Sequence, residues 1–195
     1  MFTVTVHTEQ LAEALLFAAK QDIRYCLNGV FIDAKSKNIV ATDGHTLYVG
    51  APNTLRDIEG ALADVTMPRD FVEAIAKWKL PRVIISLEDD GRRLTAKGVD
   101  TQISALSVDG KFPDWRRVYP KSNDVSGEST YLNPEYLMRA WKADIALGGG
   151  KKYPTFAQKQ GGVSGCSMVT FFENKGQAVI MPISSAVPSY VRFSI

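Results

Sequence analysis

The stretch Ala41-Thr42-Asp43-Gly44-His45-Thr46-Leu47 decides how the rest of the chain is interpreted. A strand-like apolar run enters it from Ile39, and a second run leaves it through Val49. Between them, Asp-Gly predicts a turn or bulge, because glycine reaches positive φ without steric cost. Three interpretations fit these residues: a plain hairpin turn, a catalytic Asp/His pair, or the wall of a binding site. The remainder of the chain has to decide between them.

Length and composition indicate a folded protein without a strong bias toward one class of partner. The chain has 195 residues, of which 45% are hydrophobic, and a formal net charge of +2. It can therefore form a core of ordinary size, and any contact with DNA needs a local basic stripe. Cys26 and Cys166 are far apart and lack metal-type spacing, which predicts two reduced thiols. Without a signal-peptide pattern or a bilayer-length apolar run, the sequence predicts a soluble, cytoplasmic protein.

One pattern, a strand followed by a helix and three strands, occurs three times along the chain. Helices are expected to start near Thr8, Pro68 and Asn133, with a spacing of about 60 residues that indicates an internal repeat. Thr8 can cap the first helix, and Asn133-Pro134 is a good N-cap and N1 pair. Such units place helices on one face of antiparallel sheets, so the predicted class is α+β.

The expected strands follow from alternating apolar residues and from the turn residues between them. They lie at residues 2–6, 30–32, 39–49, 63–67, 83–87, 94–96, 103–108, 130–132, 169–172 and 178–181. Residues 51–59 are expected to form a polar connector. The polar stretch 121–128 is predicted to be a linker between a two-copy domain, residues 1–120, and a single copy, residues 129–195.

Four short stretches, in this order, resemble the bacterial sliding clamp family, the β subunit of the replicative DNA polymerase. They are Arg24-Tyr25-Cys26-Leu27-Asn28-Gly29, the Ala41–Leu47 stretch, Phe112-Pro113-Asp114-Trp115-Arg116-Arg117-Val118, and Val179-Ile180-Met181-Pro182-Ile183. The resemblance implies a fold of repeated β-α-β-β-β units of the DNA-clamp type.

The resemblance does not extend over a whole clamp of three domains. Residues up to about 120 resemble the middle domain, and residues from 129 to about 185 resemble the last half of the third domain. The first domain has no counterpart. The chain therefore resembles a trimmed clamp, of the sort expected in a phage or other mobile element.

The resemblance implies a hydrophobic pocket that accepts short peptides from polymerases and clamp loaders. The matching positions are Leu27, Thr42, Gly44, His45, Thr46, Leu47, Pro113, Arg117, Val118, Val179 and Met181. Their residue types suit such a pocket, because leucine, valine and methionine form an adaptable apolar floor, and His45 and Arg117 offer donors at the rim. Thr46 stands where the family has arginine, so one wall and the preferred partner are expected to differ.

The resemblance also implies that the helices face double-stranded DNA inside a ring. The matching residues are Lys20, Arg24, Tyr25, Lys77, Lys79, Arg139 and Lys142. Acidic residues on the same helices dilute this stripe, so DNA binding is expected to be weak and strongly salt-sensitive.

Other motifs indicate no further chemistry. Residues 148–152 are similar to a phosphate loop, but they follow a helix and lack the required Ser or Thr. Asp89-Asp90 predicts a hairpin turn rather than a metal site. Since no nucleophile, metal or phosphate constellation is visible, neither an enzyme nor a cofactor is expected.

Two functions remain open at this point. In the first, a sliding-clamp-like protein binds clamp-binding peptides of polymerases, clamp loaders or repair proteins and, as a homo-oligomeric ring, acts as a DNA polymerase processivity factor. A family ring has about twelve units, so about four such chains suffice by count, and an unpaired third copy exposes sheet edges that another copy can cover. In the second, a monomeric adaptor or decoy occupies clamp-binding peptides without encircling DNA.

Overall fold

The computed structural model describes residues 1–51, 54–88, 91–120, 132–150, 157–160 and 166–183. The helices there are α1 (Thr8–Phe17), α2 (Arg69–Lys77) and α3 (Pro134–Ala146). The strands are β1 (Phe2–His7), β2 (Gly29–Asp33), β3 (Asn38–Thr42), β4 (Thr46–Gly50), β5 (Arg56–Gly60), β6 (Val65–Pro68), β7 (Arg82–Leu87), β8 (Arg93–Lys97), β9 (Gln102–Leu106), β10 (Ala157–Gln160), β11 (Ser167–Thr170) and β12 (Gly176–Ile180).

The strands form two antiparallel sheets. One has the order β5-β1-β7-β8-β9, and the other has the order β10-β11-β12-β4-β3-β2-β6. Helix α1 packs against α2 and α3 and against strands of the larger sheet. The α+β class predicted from the sequence is therefore confirmed.

The third copy of the pattern extends the sheet of the first copy. Strand β12 pairs antiparallel with β4, with Gly176 opposite Gly50 and Val179 opposite Leu47. The expectation that the third copy leaves its sheet edge open is therefore wrong for β12, because β4 of the same chain covers that edge. Strand β10 is the outermost strand on this side of the larger sheet.

The larger sheet has an apolar layer on each face. Side chains alternate along β4, so Tyr48 lies in the main core with the helices, whereas Leu47 and Val49 lie in a second cluster on the opposite face. Phe112 and Trp115 of the segment after β9 belong to this second cluster. The segment therefore packs on the face of the sheet that is turned away from the main core.

A buried carboxyl group lies where α1 meets the junction of β4 and β12. Glu13 is fully buried, and one carboxyl oxygen accepts a hydrogen bond from the Tyr48 hydroxyl at 3.1 Å. Burial raises the pKa of Glu13 to about 9, although the hydrogen bond from Tyr48 works in the opposite direction. The Tyr48 ring packs against Phe17 of α1, at 5.5 Å between centroids, and against Phe171 of the third copy, at 6.1 Å, and these two phenylalanine rings also contact each other, at 6.4 Å. This carboxyl group is therefore part of the contact between the first and third copies.

Two strands differ from the sequence prediction. Residues 51–59 were expected to form a polar connector, but Arg56–Gly60 is strand β5 and pairs with β1. Its side chains are mostly exposed at the sheet edge, so its sequence lacks the apolar alternation of a half-buried strand. Strand β10 was not predicted, since Ala-Gln-Lys-Gln carries no such alternation either.

The predicted N-cap is correct for α3 and wrong for α1. Asn133 caps α3, because its side-chain oxygen accepts a hydrogen bond from the Glu135 amide at 2.9 Å, with Pro134 following it as predicted. Thr8 does not cap α1; it is the first helical residue, and its hydroxyl donates to the carbonyl of Leu80. The predicted linker 121–128, the Asp89-Asp90 turn and most of the strand at 130–132 lie outside the described residues.

Candidate functional site

The turn that joins β3 to β4 is closed by its own side chains. One oxygen of the Asp43 carboxylate accepts hydrogen bonds from the amides of His45, at 2.9 Å, and Thr46, at 2.7 Å. The Thr42 hydroxyl accepts from the Gly44 amide at 3.0 Å and donates to the Thr46 carbonyl at 2.6 Å. Gly44 has a φ of 89°, which a residue with a side chain adopts only under strain. The Asp-Gly turn predicted from the sequence is confirmed.

A cavity of about 60 Å³ opens beside this turn. Its lining consists of Thr42, Gly44, His45, Thr46, Leu47, Val118, Val179 and Met181. All eight were among the eleven pocket residues expected from the sequence. They come from three distant segments: the β3–β4 turn, the segment after β9, and the end of β12.

Sheet register explains why these segments meet. Thr42 pairs with Leu47 across β3 and β4, and Leu47 pairs with Val179 across β4 and β12. Beyond the end of β12, the Met181 amide donates to the His45 carbonyl at 2.9 Å, which holds Met181 beside the turn. Leu47 and Val179 are buried and form the floor, whereas His45 lies exposed at the rim.

The segment after β9 is attached firmly to the sheet before it reaches the cavity. The ring of Phe112 stacks on Phe31, with 4.5 Å between centroids and 1° between planes. The Trp115 indole donates to the buried Asp33 carboxylate at 2.9 Å. Burial raises the pKa of Asp33, but hydrogen bonds, including that from Trp115, outweigh it and hold the pKa below its ordinary value. These anchors place Val118, which is 40% exposed, at the mouth of the cavity.

Three of the expected pocket residues do not line this cavity. Leu27 is buried in the apolar cluster that also contains Leu47 and Val179. Pro113 is exposed on the segment after β9. The Arg117 side chain is 83% exposed and forms an ion pair with Asp114 at 3.4 Å. Leu27 therefore contributes packing beneath the site, and the other two lie at the surface outside the lining.

Helix α3 contacts the turn from the side opposite the cavity floor, which the sequence did not reveal. The Tyr136 ring stacks on the His45 ring, with 6.1 Å between centroids. The Arg139 guanidinium donates to the second Asp43 oxygen at 2.5 Å and to the Thr46 hydroxyl at 3.2 Å. Burial raises the pKa of Asp43, but the hydrogen bonds from Arg139 and from the turn amides outweigh it and lower the pKa below its ordinary value.

A cleft of about 510 Å³ lies between α1 and α3 and contains three of the seven residues expected to face DNA. These are Lys20, Arg139 and Lys142, which line it together with Arg69 and with the carboxylates of Asp43 and Glu135. Lys20 and Lys142 are exposed. Arg139 is paired with Asp43 and is only 20% exposed, so its charge is less available than the sequence suggested.

The remaining four candidates for DNA contact do not line this cleft. Lys77 and Lys79 are exposed at the end of α2, and Tyr25 is 73% exposed in the loop after α1. Arg24, in the same loop, forms an ion pair with Asp22 at 2.7 Å. The hydrogen bond from Arg24 lowers the pKa of Asp22 to about 2.

Within the described residues, no helix has both the length and the apolar character needed to span a membrane. The same residues contain no group of three or more His, Cys, Asp or Glu side chains arranged to hold a metal ion.

Comparison with known proteins identifies the fold and the relatives. The chain superimposes on the DNA polymerase sliding clamp of Pseudomonas aeruginosa with a TM-score of 0.65, covering 94% of this chain and 66% of that one at 20% identity. It superimposes on the Helicobacter pylori β clamp bound to a DNA ligase peptide with a TM-score of 0.71, covering 94% and 66% at 14% identity. The chain therefore has the fold of the sliding clamps.

Sequence comparison identifies the relatives more narrowly. The chain is 33% identical over 140 residues to the β sliding clamp of Pseudomonas putida, covering 67% of this chain and 37% of that protein. It is 34% identical over 119 residues to the β sliding clamp of Proteus mirabilis, covering 58% and 32%. The chain is thus a relative of the bacterial β sliding clamps and spans about a third of their length. No protein-family model matches it.

Proposed function

We propose that this chain is a non-enzymatic, sliding-clamp-like protein that binds short peptide motifs of polymerases, clamp loaders or repair proteins in the cavity beside the β3–β4 turn. The observation that carries this proposal is the meeting of eight residues from three distant segments around one small cavity. Relationship to the β sliding clamps, and the superposition on a clamp bound to a DNA ligase peptide, support it.

The chemistry of the cavity suits an apolar side chain of an extended peptide. Leu47 and Val179 supply a buried apolar floor, and Met181 can adapt to guests of different shape. Burial of one leucine and one phenylalanine contributes about 1.5–3 kcal/mol for each side chain. After the entropic cost of association, a Kd in the micromolar range, or about −8 kcal/mol, is expected.

Titration with a fluorescent synthetic peptide that carries a Leu-Phe pair tests this function. Met181→Ala removes part of the cavity wall and should weaken binding about tenfold. Met138→Ala is the matched control, because Met138 is an exposed methionine on α3 outside this cavity. Equal affinities of wild type and Met181→Ala, or no binding to wild type above that of a scrambled peptide, would refute the proposed site.

The fuller form of the proposal is a homo-oligomeric ring that acts on DNA as a polymerase processivity factor. Strand β9 lies at one end of the smaller sheet and β10 at one end of the larger sheet, and pairing at such edges would join copies of the chain. Lys20 and Lys142, in the cleft between α1 and α3, are suited to weak contacts with phosphates. The division into a domain of residues 1–120 and a half-domain of residues 129–195 is part of this proposal.

Two measurements separate the ring from an adaptor that only occupies peptides. Light scattering coupled to size exclusion should give a mass of several chains at micromolar concentration. The protein, loaded on circular DNA, should remain bound and should be released when the DNA is cut, because only a ring slides off free ends. A strict monomer, or equal retention on circular and linear DNA, would leave peptide binding as the entire function.

A further inference from the structure

A side chain of the third copy, Arg139, bonds the Asp43 carboxylate in the turn at the rim of the cavity. Asp43 uses one carboxylate oxygen to close the turn, by accepting from the amides of His45 and Thr46. Its other oxygen accepts from Arg139 of α3 at 2.5 Å. Hydrogen bonds to both oxygens therefore fix the orientation of this carboxylate. The bond to the second oxygen comes from Arg139, which is 96 residues away in the chain.

This ion pair is placed where it can be strong. The side chains of Arg139 and Asp43 are only 20% and 17% exposed, so that water and salt screen their interaction less than that of a surface pair. The Arg139 guanidinium also donates to the Thr46 hydroxyl and lies 5.2 Å from the centroid of the Tyr136 ring. Its other contact with a carboxylate is longer, at 3.7 Å to Glu135.

Thr46 connects Arg139 to the cavity, because it lines the cavity and its hydroxyl accepts a hydrogen bond from Arg139. Threonine carries no charge, whereas the clamp family that the sequence resembles has arginine at this position. Arg139 instead brings a guanidinium to the Thr46 hydroxyl from another part of the chain. The turn borders both the cleft and the cavity. Asp43 and Arg139 line the cleft between α1 and α3, and Gly44, His45 and Thr46 line the cavity.

We propose that Arg139 is a positioning residue of the peptide site, which through Asp43 holds the Asp43–Thr46 turn in the conformation that forms the cavity wall. This inference rests on the proposed function, because it concerns how the wall of the same cavity is held in place for the peptide. Without Arg139, one oxygen of a mostly buried carboxylate loses its partner, and the carboxylate turns toward water. The turn that it closes then loses its fixed position, and bound peptide meets a less ordered wall.

Peptide titration of Arg139→Gln tests this inference, with Arg82→Gln as the matched control. Arg82 is an exposed arginine on β7 of the smaller sheet and lines neither the cleft nor the cavity. Arg139→Gln should weaken binding of the Leu-Phe peptide about tenfold, a typical size for a change that acts through a neighbouring residue, and Arg82→Gln should leave binding unchanged. Equal affinities for wild type and Arg139→Gln would overturn the inference.

A double-mutant cycle shows whether Arg139 acts through Asp43. In an Asp43→Asn background, Arg139→Gln should weaken binding by less than about threefold, because the pair is already lost. An undiminished tenfold loss in that background would overturn the inference. In amide spectra of the free protein, the resonances of Gly44 and His45 should shift in Arg139→Gln and not in Arg82→Gln; unshifted resonances in Arg139→Gln would also overturn the inference.

A second variant tests the inference if Arg139→Gln is unstable, and the pattern of results distinguishes failure of this inference from failure of the proposed function. If Arg139→Gln fails to fold, Thr46→Val replaces it: this variant removes only the hydroxyl that bonds both Asp43 and Arg139, and it should weaken binding about threefold. Unchanged binding by Thr46→Val would then overturn the inference. If wild type binds the peptide and Met181→Ala weakens it while Arg139→Gln does not, only this inference fails. If wild type itself does not bind, the proposed function fails.

Discussion

Replacing Glu13 by glutamine should change how the stability of this protein depends on pH. Glu13 is fully buried between α1 and β4, and its carboxyl group bonds the Tyr48 hydroxyl at 3.1 Å. Burial raises its pKa from 4.5 to about 9 in the folded protein. Around neutral pH the folded state therefore keeps this carboxyl group protonated, whereas the unfolded state releases the proton.

The size of the effect follows from the two pKa values. Because the pKa of the folded state lies above that of the unfolded state, the contribution of Glu13 to stability is fully present below about pH 4.5 and is lost as the pH rises toward 9. Each pH unit in this window changes the free energy of unfolding by about 1.4 kcal/mol. Between pH 5 and pH 8 the wild type should therefore lose up to about 4 kcal/mol that Glu13→Gln does not lose.

Urea unfolding at pH 5, 6, 7 and 8, followed by circular dichroism, measures this difference. The stability of Glu13→Gln relative to wild type should rise steadily across the series. Glu59→Gln is the matched control for the loss of a glutamate at the surface, since Glu59 is exposed on β5 at the edge of the smaller sheet. If the difference in the free energy of unfolding between Glu13→Gln and wild type changes by less than about 1 kcal/mol from pH 5 to pH 8, the reasoning is refuted.

Two further substitutions test local contacts. Trp115→Phe keeps an aromatic side chain, although a smaller one, and removes the indole N–H that donates the 2.9 Å bond to Asp33. It should lower the free energy of unfolding by about 1–3 kcal/mol in urea titrations. A stability equal to wild type would mean that this bond does not anchor the segment after β9. Asn133→Ala removes the N-cap of α3 and should cost about 1 kcal/mol in the same assay. Asn133→Ser, which can still cap, should recover most of that loss.

Local chemistry was sufficient to predict several parts of this protein. Asp43-Gly44 predicted a turn and Asn133-Pro134 a helix start, because a turn or a cap depends on a few neighbouring residues. Apolar alternation located most of the strands of both sheets for a similar reason, since each strand carries its own pattern of burial. Strand β5 escaped prediction because an exposed edge strand carries no such pattern.

The eight residues around the cavity were also predicted, but by resemblance rather than by local pattern. Nothing in the residues of β4 or β12 specifies that Leu47 lies opposite Val179. That pairing, which brings the third copy onto the sheet of the first, depends on complementary backbone edges and on the apolar clusters of both faces. Register between distant strands is a property of the packed molecule, because either strand alone could pair elsewhere.

The sequence by itself determined the Asp43-Gly44 turn, the N-cap of α3, most of the strands and the apolar residue types that the proposed peptide site needs. Only the tertiary structure decided that Glu13 is buried against Tyr48 and that Arg139 bonds Asp43. The pKa of Glu13 and the strength of the Arg139–Asp43 ion pair both depend on how deeply the groups are buried and on which partners they contact. Depth and partners arise only when segments far apart in the chain fold together, which no local pattern of residues records.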